Sequence, residues 1–323
     1  MKKNFLTSVA FALVLGLAAC DDSTSANGSS GDENPAEESS SSVIPSEVEG
    51  SSSSVVVSSS VESSSSVVSS SSEKSSSSVA SSSSVKSSSS VVVVKGSMTD
   101  TRDGQVYKTV KICDKENKNC QTWMAENLNY RYVGVKYNYN GYTSDSTSWC
   151  GGGSGTTAGD CSIYGRLYTW AAAVDSVAIY EKYGEECGYG KSCTRFSASA
   201  LATAPVRGVC PSGWHLPSNA EWSALYTNVG GTGYAGQKLR ANSSLWSTNT
   251  GTDEYGFSVL PAGRRQDNGD FNGRGYCAYF WSSTEIENRS DYAWCQYFGY
   301  LDDYVYQDNY VKNYGFFVRC LKD

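Results

Sequence analysis

The stretch Cys210-Pro-Ser-Gly-Trp-His-Leu-Pro-Ser-Asn-Ala-Glu-Trp222 holds the only histidine of the chain, six residues before Glu221. An imidazole and a carboxylate this close in sequence could form a general acid–base pair. The residues around them point elsewhere. Ser218 and Glu221 have the spacing of a capping box, a serine N-cap with glutamate at the third helical position, preceded by Pro217. Trp222, Leu225, Tyr226 and Val229 then recur at helical intervals, and Gly230-Gly231 closes the segment. Glu221 is therefore expected to accept the orphan backbone N–H of Ser218. His215, between Trp214 and Leu216, is expected to be a packed scaffold residue. No Ser or Cys nucleophile can be assigned to it from the sequence, so a triad is unsupported and no catalytic residue is named.

Cysteines are the second group with chemistry to offer. Of the 11 in the chain, ten follow Gly96. An even number in an exported chain reads as five disulfides. No CxxC pair is present and one histidine makes no Cys/His cluster, so no metal and no cofactor is expected. Spacing does not fix connectivity. Pairing near neighbours gives Cys113–Cys120, Cys150–Cys161, Cys187–Cys193 and Cys277–Cys295, leaving Cys210–Cys320 to close the long loop.

The third group is aromatic. The chain has 23 tyrosines and 8 tryptophans, and many fall late. Tyr300, Tyr304, Tyr306 and Tyr310 are interleaved with Asp302 and Asp303 in a segment read as a loop over 299–310. Flat amphipathic rings beside carboxylates suit a sugar, and they equally suit a protein surface. Aromatics in strand-like runs, such as Trp294 and Phe316, serve a core instead, so binding and packing readings of this segment stand side by side. Asp253, Glu254, Glu285, Asp302 and Asp303 could be posed as acid–base pairs for glycoside cleavage, but their separations are not legible and surface carboxylates are usually just solvated.

The elements that must position these groups occupy residues 97–323. DGQVYKTVKI (103–112) and Cys120–Ala125 read as paired strands. YGRLYTWAAAVDS (164–176) places Leu167, Trp170, Ala171 and Val174 at helical spacing. Strands are expected at 256–263, 277–283, 291–298 and 314–322, separated by Gly, Asn and Asp-rich connections. Helices early and irregular strands late give an α+β class.

Ahead of this domain the composition changes twice. Lys2 and Lys3 precede the apolar run Phe5–Ala19, too short to span a bilayer. It ends in Leu17-Ala18-Ala19-Cys20, which resembles the lipobox of bacterial lipoproteins. That resemblance implies cleavage after residue 19 and acylation of Cys20, hence an exported protein held by lipid in the cell envelope. The lipobox does not choose the membrane, and an outer-membrane, surface-exposed position is the expectation. Residues 20–96 are runs of SSSS punctuated by Val, Glu and Lys, which cannot offset the entropy of ordering. They read as a flexible stalk with an average reach of about 50 Å. Five of the 26 basic and 10 of the 33 acidic residues precede Ser97, so the domain carries −2 of the net −7. No basic patch suggests nucleic acid.

A family resemblance covers almost all of 100–322. DTRDGQVYKTVKI, QTWMAENLNY, YGRLYTWAAA, CPSGWHLPSNAEW, TDEYGFSVLPAG, FWSST and GFFVRC occur in order and resemble the Fibrobacter succinogenes major paralogous domain family. More distantly, WHLPSNAEW and GFFVRC resemble formylglycine-generating enzymes, which implies a C-type-lectin-like fold of two helices with small twisted antiparallel sheets and long loops. Those enzymes oxidise a substrate cysteine with copper through two closely spaced cysteines near the C-terminal end. Cys277, Cys295 and Cys320 are too widely spaced to match. The Glu-Pro-Asn, Gln-Pro-Asp and Trp-Asn-Asp motifs of calcium-dependent lectins are absent, so no calcium sugar site is expected. The resulting expectation is a non-catalytic recognition module for polysaccharide or a surface protein. A structural envelope spacer, or an enzyme of that kind with a lost or altered catalytic site, remain the alternatives.

Overall fold

The computed structural model describes residues 93–134, 137–139, 142–144 and 147–323. The leader at 1–19, Cys20 and the stalk up to residue 92 lie outside the described residues. In chain order the first strands are β1 (Val94–Thr99), β2 (Val106–Ile112), β3 (Gln121–Met124), β4 (Tyr137–Tyr139), β5 (Tyr142–Ser144) and β6 (Ser148–Cys150). Next come α1 (Cys161–Tyr164), β7 (Arg166–Tyr168), α2 (Trp170–Ala173), α3 (Ser176–Tyr183) and, after a 3-10 turn (Thr194–Phe196), α4 (Ala198–Leu201). The middle holds β8 (Trp214–His215), α5 (Asn219–Asn228) and α6 (Thr232–Leu239). The last strands are β9 (Ala262–Arg265), β10 (Phe271–Arg274), β11 (Cys277–Glu285), β12 (Tyr292–Gly299), β13 (Val305–Val311), β14 (Phe316–Phe317) and β15 (Leu321–Lys322). The class is α+β, with mostly sheet and few helices.

Two sheets carry the domain. The first is antiparallel in the order β1-β2-β3-β15-β8. The second runs β10-β9-β11-β14-β7-β6, with β12 on the other side of β11 and β13 outermost. It is mixed, because β11 pairs in parallel with both β9 and β14. β11 is its axis: eight of its nine residues are buried. Side chains alternate across a strand, so Tyr279 and Trp281 enter one core with Trp170, Trp214 and Phe316. Ala278 and Phe280 enter the other, with Trp123, Trp222 and Phe317. Trp222 on α5 packs 4.6 Å from Trp123 and 5.7 Å from Phe280 by ring centroids, which joins the two sheets.

Several expected elements differ. The helix expected over 164–176 is split: Gly165 takes φ 72°, where a Cβ would stand 2.8 Å from the Asn127 backbone oxygen, so the chain turns, forms β7, and restarts as α2 on a Thr169 cap. The strand expected at 256–263 is mostly irregular. Ser258 adopts φ 57°, and the Asp253 side chain accepts from its N–H (2.8 Å) and hydroxyl (2.7 Å). The run 314–322 breaks into β14 and β15, which serve different sheets. The tyrosine-rich segment expected as a loop contains β13.

Four of the expected disulfides are formed: Cys113–Cys120, Cys150–Cys161, Cys187–Cys193 and Cys210–Cys320. The expected Cys277–Cys295 bond is not. Cys277 faces Gly299 across the ladder and Cys295 faces Trp281, four residues along, or about 13 Å. A disulfide needs Cα atoms within about 7 Å, and Cys295 is a buried free thiol. Cys210–Cys320 spans 110 residues, so loop-closure entropy predicts that replacing both cysteines by serine costs about 5 kcal/mol. Removing Cys113–Cys120, 7 residues apart, should cost about 2 kcal/mol. Urea unfolding of the two variants checks the order.

Candidate functional site

His215 occupies the seam where β8 meets β15. It is 5% exposed. Its Nδ1 lies 2.7 Å from Asp323 Oδ1 and its Nε2 2.9 Å from Glu221 Oε1. Both ring nitrogens face carboxylates, and only the imidazolium can donate to both. Burial pushes the His215 pKa down, but the hydrogen bonds and charges of Glu221 and Asp323 outweigh it and hold the pKa above the ordinary value. Glu221 is opposed by burial too, yet its bonds to His215 and Ser218 keep it below the usual glutamate range. Its second oxygen closes the capping box, accepting from Ser218 N (2.8 Å) and Ser218 Oγ (2.9 Å). The expected cap is therefore present, and the cluster ties the helix start to the last strand. Asp323 was not legible as a partner, since 108 residues separate it from His215.

The tyrosines of the late segment divide by environment. Tyr310 is half-buried among Tyr279, Tyr314 and Phe316, with its ring near the Arg264 guanidinium. Tyr300 lies edge-on to Tyr276 at 5.1 Å and packs against the second core. Asp303 pairs with Arg240 at 3.3 Å. The turn itself presents Tyr304, 52% exposed, and Tyr306, 44% exposed. Their rings are near-parallel, 28° apart with centroids at 6.0 Å. Asp302 braces both: Oδ1 accepts from Tyr304 N at 3.0 Å and Oδ2 from the Tyr306 hydroxyl at 2.7 Å. The hydrogen bond to Asp302 pushes the Tyr306 pKa up to about 12.

This turn is held from below by residues that the sequence reading did not single out. Arg240, fully buried just after α6, donates Nη1 to the Gly299 and Asp302 carbonyls. Gly236 on α6 donates its N–H to Asp303 O at 2.9 Å. A Cβ there would stand 2.5 Å from the Tyr304 carbonyl oxygen, so α6 reaches the turn only through glycine. Along β12–β13, Gln296 bonds Tyr226 and Asn219, and Gln307 bonds Ser223, which fixes the hairpin to α5. The result is an exposed aromatic pair beside one oriented carboxylate, groups that can stack and accept hydrogen bonds.

Among the described residues no group of three or more His, Cys, Asp or Glu side chains is placed to hold a metal ion, and no helix is long and apolar enough to cross a membrane. Cys295 is enclosed, and burial pushes its thiol pKa well up, which leaves it protonated and unreactive.

An α+β domain stapled by disulfides, with an aromatic turn braced on buried arginine, is the class of protein that these features define. The chain belongs to the Fibrobacter succinogenes major domain family, whose model matches residues 117–322. It matches no curated protein and no solved structure.

Two measurements test the chemistry of these groups. A histidine pKa raised on folding stabilises fully below its unfolded value of about 6.5 and loses that contribution as pH rises through the folded value. A glutamate pKa lowered on folding stabilises above about 4.3 and loses the effect as pH falls. His215→Gln should therefore destabilise most between about pH 4.5 and 6.5, by about 1.5–3 kcal/mol, with the gap to the parent narrowing at higher pH. Melting curves across pH 4–9 read this, and a gap that does not change with pH would remove the imidazolium. The second measurement is thiol titration of the oxidised protein. Cys295 should be silent to an aromatic disulfide reagent while folded and react after denaturation, and Cys295→Ser should remove that late signal.

Proposed function

We propose that this protein is a non-catalytic recognition module of the cell envelope, anchored through lipid on Cys20 and carrying a C-type-lectin-like domain on a serine-rich stalk. The ligand it suits is polysaccharide, taken at the Tyr304–Tyr306 pair. The observation that carries the reading is the exposure of these two aligned rings with Asp302 fixed beside them. Tyrosine faces offer a sugar its apolar contact, and an oriented carboxylate accepts from its hydroxyls. Leu301, 61% exposed at the same turn, extends the apolar ground.

The cysteines favour recognition over formylglycine-type oxidation. That chemistry needs a pair of close, available thiols, whereas Cys320 is bonded to Cys210 and Cys295 is buried. A lipid anchor and tether would add local concentration at a surface.

The test is binding of the oxidised chain to a panel of plant and bacterial polysaccharides, with and without chelator. Saturable, chelator-resistant binding is expected, weakened by about tenfold or more when Tyr304 and Tyr306 are both replaced by alanine, since aromatic contacts of this kind contribute about 1–2 kcal/mol. Both side chains are about half solvent-exposed and lie outside the two cores, so the fold should survive their loss. No binding to any glycan, or binding that the double variant leaves unchanged, would remove the lectin reading in favour of a protein partner or a spacer role.

A further inference from the structure

Away from the tyrosine turn, a cavity of about 620 Å³ opens between α3, the 3-10 turn with α4, and residues 203–208. Its walls are largely aliphatic, with Val174, Ile179, Ala200 and Val206 among them. Lys182, Arg195 and Arg207 also line it, in a chain whose net charge is −7. The acids nearby are already engaged. Asp175, the carboxylate of the lining, accepts from the Tyr132 hydroxyl at 2.7 Å. Glu185 lies 3.0 Å from Arg195 Nε. Asp100, whose carboxyl feels the Arg207 charge, is fully buried in a two-oxygen pairing with Arg102. The Arg195 guanidinium lies over the Tyr183 ring at 3.3 Å. A hydrogen bond from Lys182, helped by the Arg195 charge, lowers the Tyr183 pKa from its ordinary value, as a positive field at the cavity mouth would. Among the described residues neither Lys182 nor Arg207 has a carboxylate within ion-pair distance.

An aliphatic chamber with cations in excess at its rim matches one kind of molecule by both polarity and charge. We propose that the cavity binds an amphiphilic carboxylate, with its hydrocarbon body against Val174, Ile179 and Val206 and its carboxylate at the rim formed by Lys182, Arg195 and Arg207. The volume lies in the range that ligand pockets use. A neutral sugar would leave its hydroxyls unpaired against these walls, so this ligand differs in kind from the one assigned to Tyr304 and Tyr306, and the two sites stand or fall separately.

The probe is 4-phenylbutyrate, titrated calorimetrically into the oxidised full chain, with 4-phenylbutyramide as its uncharged counterpart. The acid should bind saturably and the amide should not. Lys182→Gln with Arg207→Gln should weaken the acid by about tenfold, the value of a charge-assisted hydrogen bond. Both side chains are exposed, so the fold is retained. Ala178→Trp, on the exposed lining of α3, should close the chamber and abolish binding. Equal binding of acid and amide, no binding of the acid, or binding unchanged in the double variant or in Ala178→Trp would each overturn the proposal.

Discussion

A strand buried on both faces must be covered twice, and β11 imposes that requirement on the whole domain. Its alternation sends Tyr279 and Trp281 one way and Ala278 and Phe280 the other. Each large side chain so buried contributes about 1.5–3 kcal/mol. A one-residue slip would exchange Trp281 with Phe280 and spoil both cores at once. Register is also fixed by polar groups, since Trp281 donates to Tyr168 O at 2.8 Å and Trp170 donates to Ser282 O at 3.0 Å. The small strands β9 and β14 share one edge of β11, and β12 with β13 extends the other. The candidate binding turn is thus the end of a hairpin whose inner strand, β12, is paired along β11 from Cys277 to Trp281.

Loops this long cannot satisfy themselves by ladder hydrogen bonds, and buried cations take over that work. Arg319 donates to Phe257 O, Ser258 O and Asn127 Oδ1. Burial pushes its pKa down to about 9. Lys312 gathers Glu285 with the carbonyls of Lys191 and Ser290, beneath the Trp170 ring. Arg240 does the same for the turn at 299–303. A charge surrounded by carbonyl oxygens is costly to bury and costlier to strip of one partner. These residues therefore select one loop arrangement more than they add stability.

Local chemistry was legible in the sequence, and its long-range partners were not. The Ser218–Glu221 cap, the β2–β3 pair, β11 and β12 follow from spacing and composition, because each is decided within a few residues. Pairing of near neighbours met three disulfides and failed at Cys277–Cys295, and Cys210–Cys320 was reached only as the remainder. The failures have separate causes. The approach of Asn127 needs Gly165, a tertiary contact that overrode the helix pattern, and a local turn in which Asp253 accepts from Ser258 overrode the strand pattern. Among the described residues β13 pairs only with β12. An edge strand with both faces partly wet shows no clean apolar alternation, although Val305, Tyr306, Tyr310 and Val311 are good strand formers. For the candidate site, the exposed Tyr304 and Tyr306 stood in the sequence among tyrosines that look the same, and the buried Arg240 and Gly236 that seat them gave no signal at all.

β1 is the edge of its sheet, exposed at most positions, laddered to β2 and touching the first core through Met98. Tension on the chain ahead of Val94 meets that ladder at its free end, Val94 opposite Lys111, and can open it one residue pair at a time. Six residues released in this way lengthen the chain by about 20 Å and give up the contact of Met98 with the first core. To such a load the domain would present a mechanical fuse: a short edge strand placed to part before the packed body, with β2 left in place as its template.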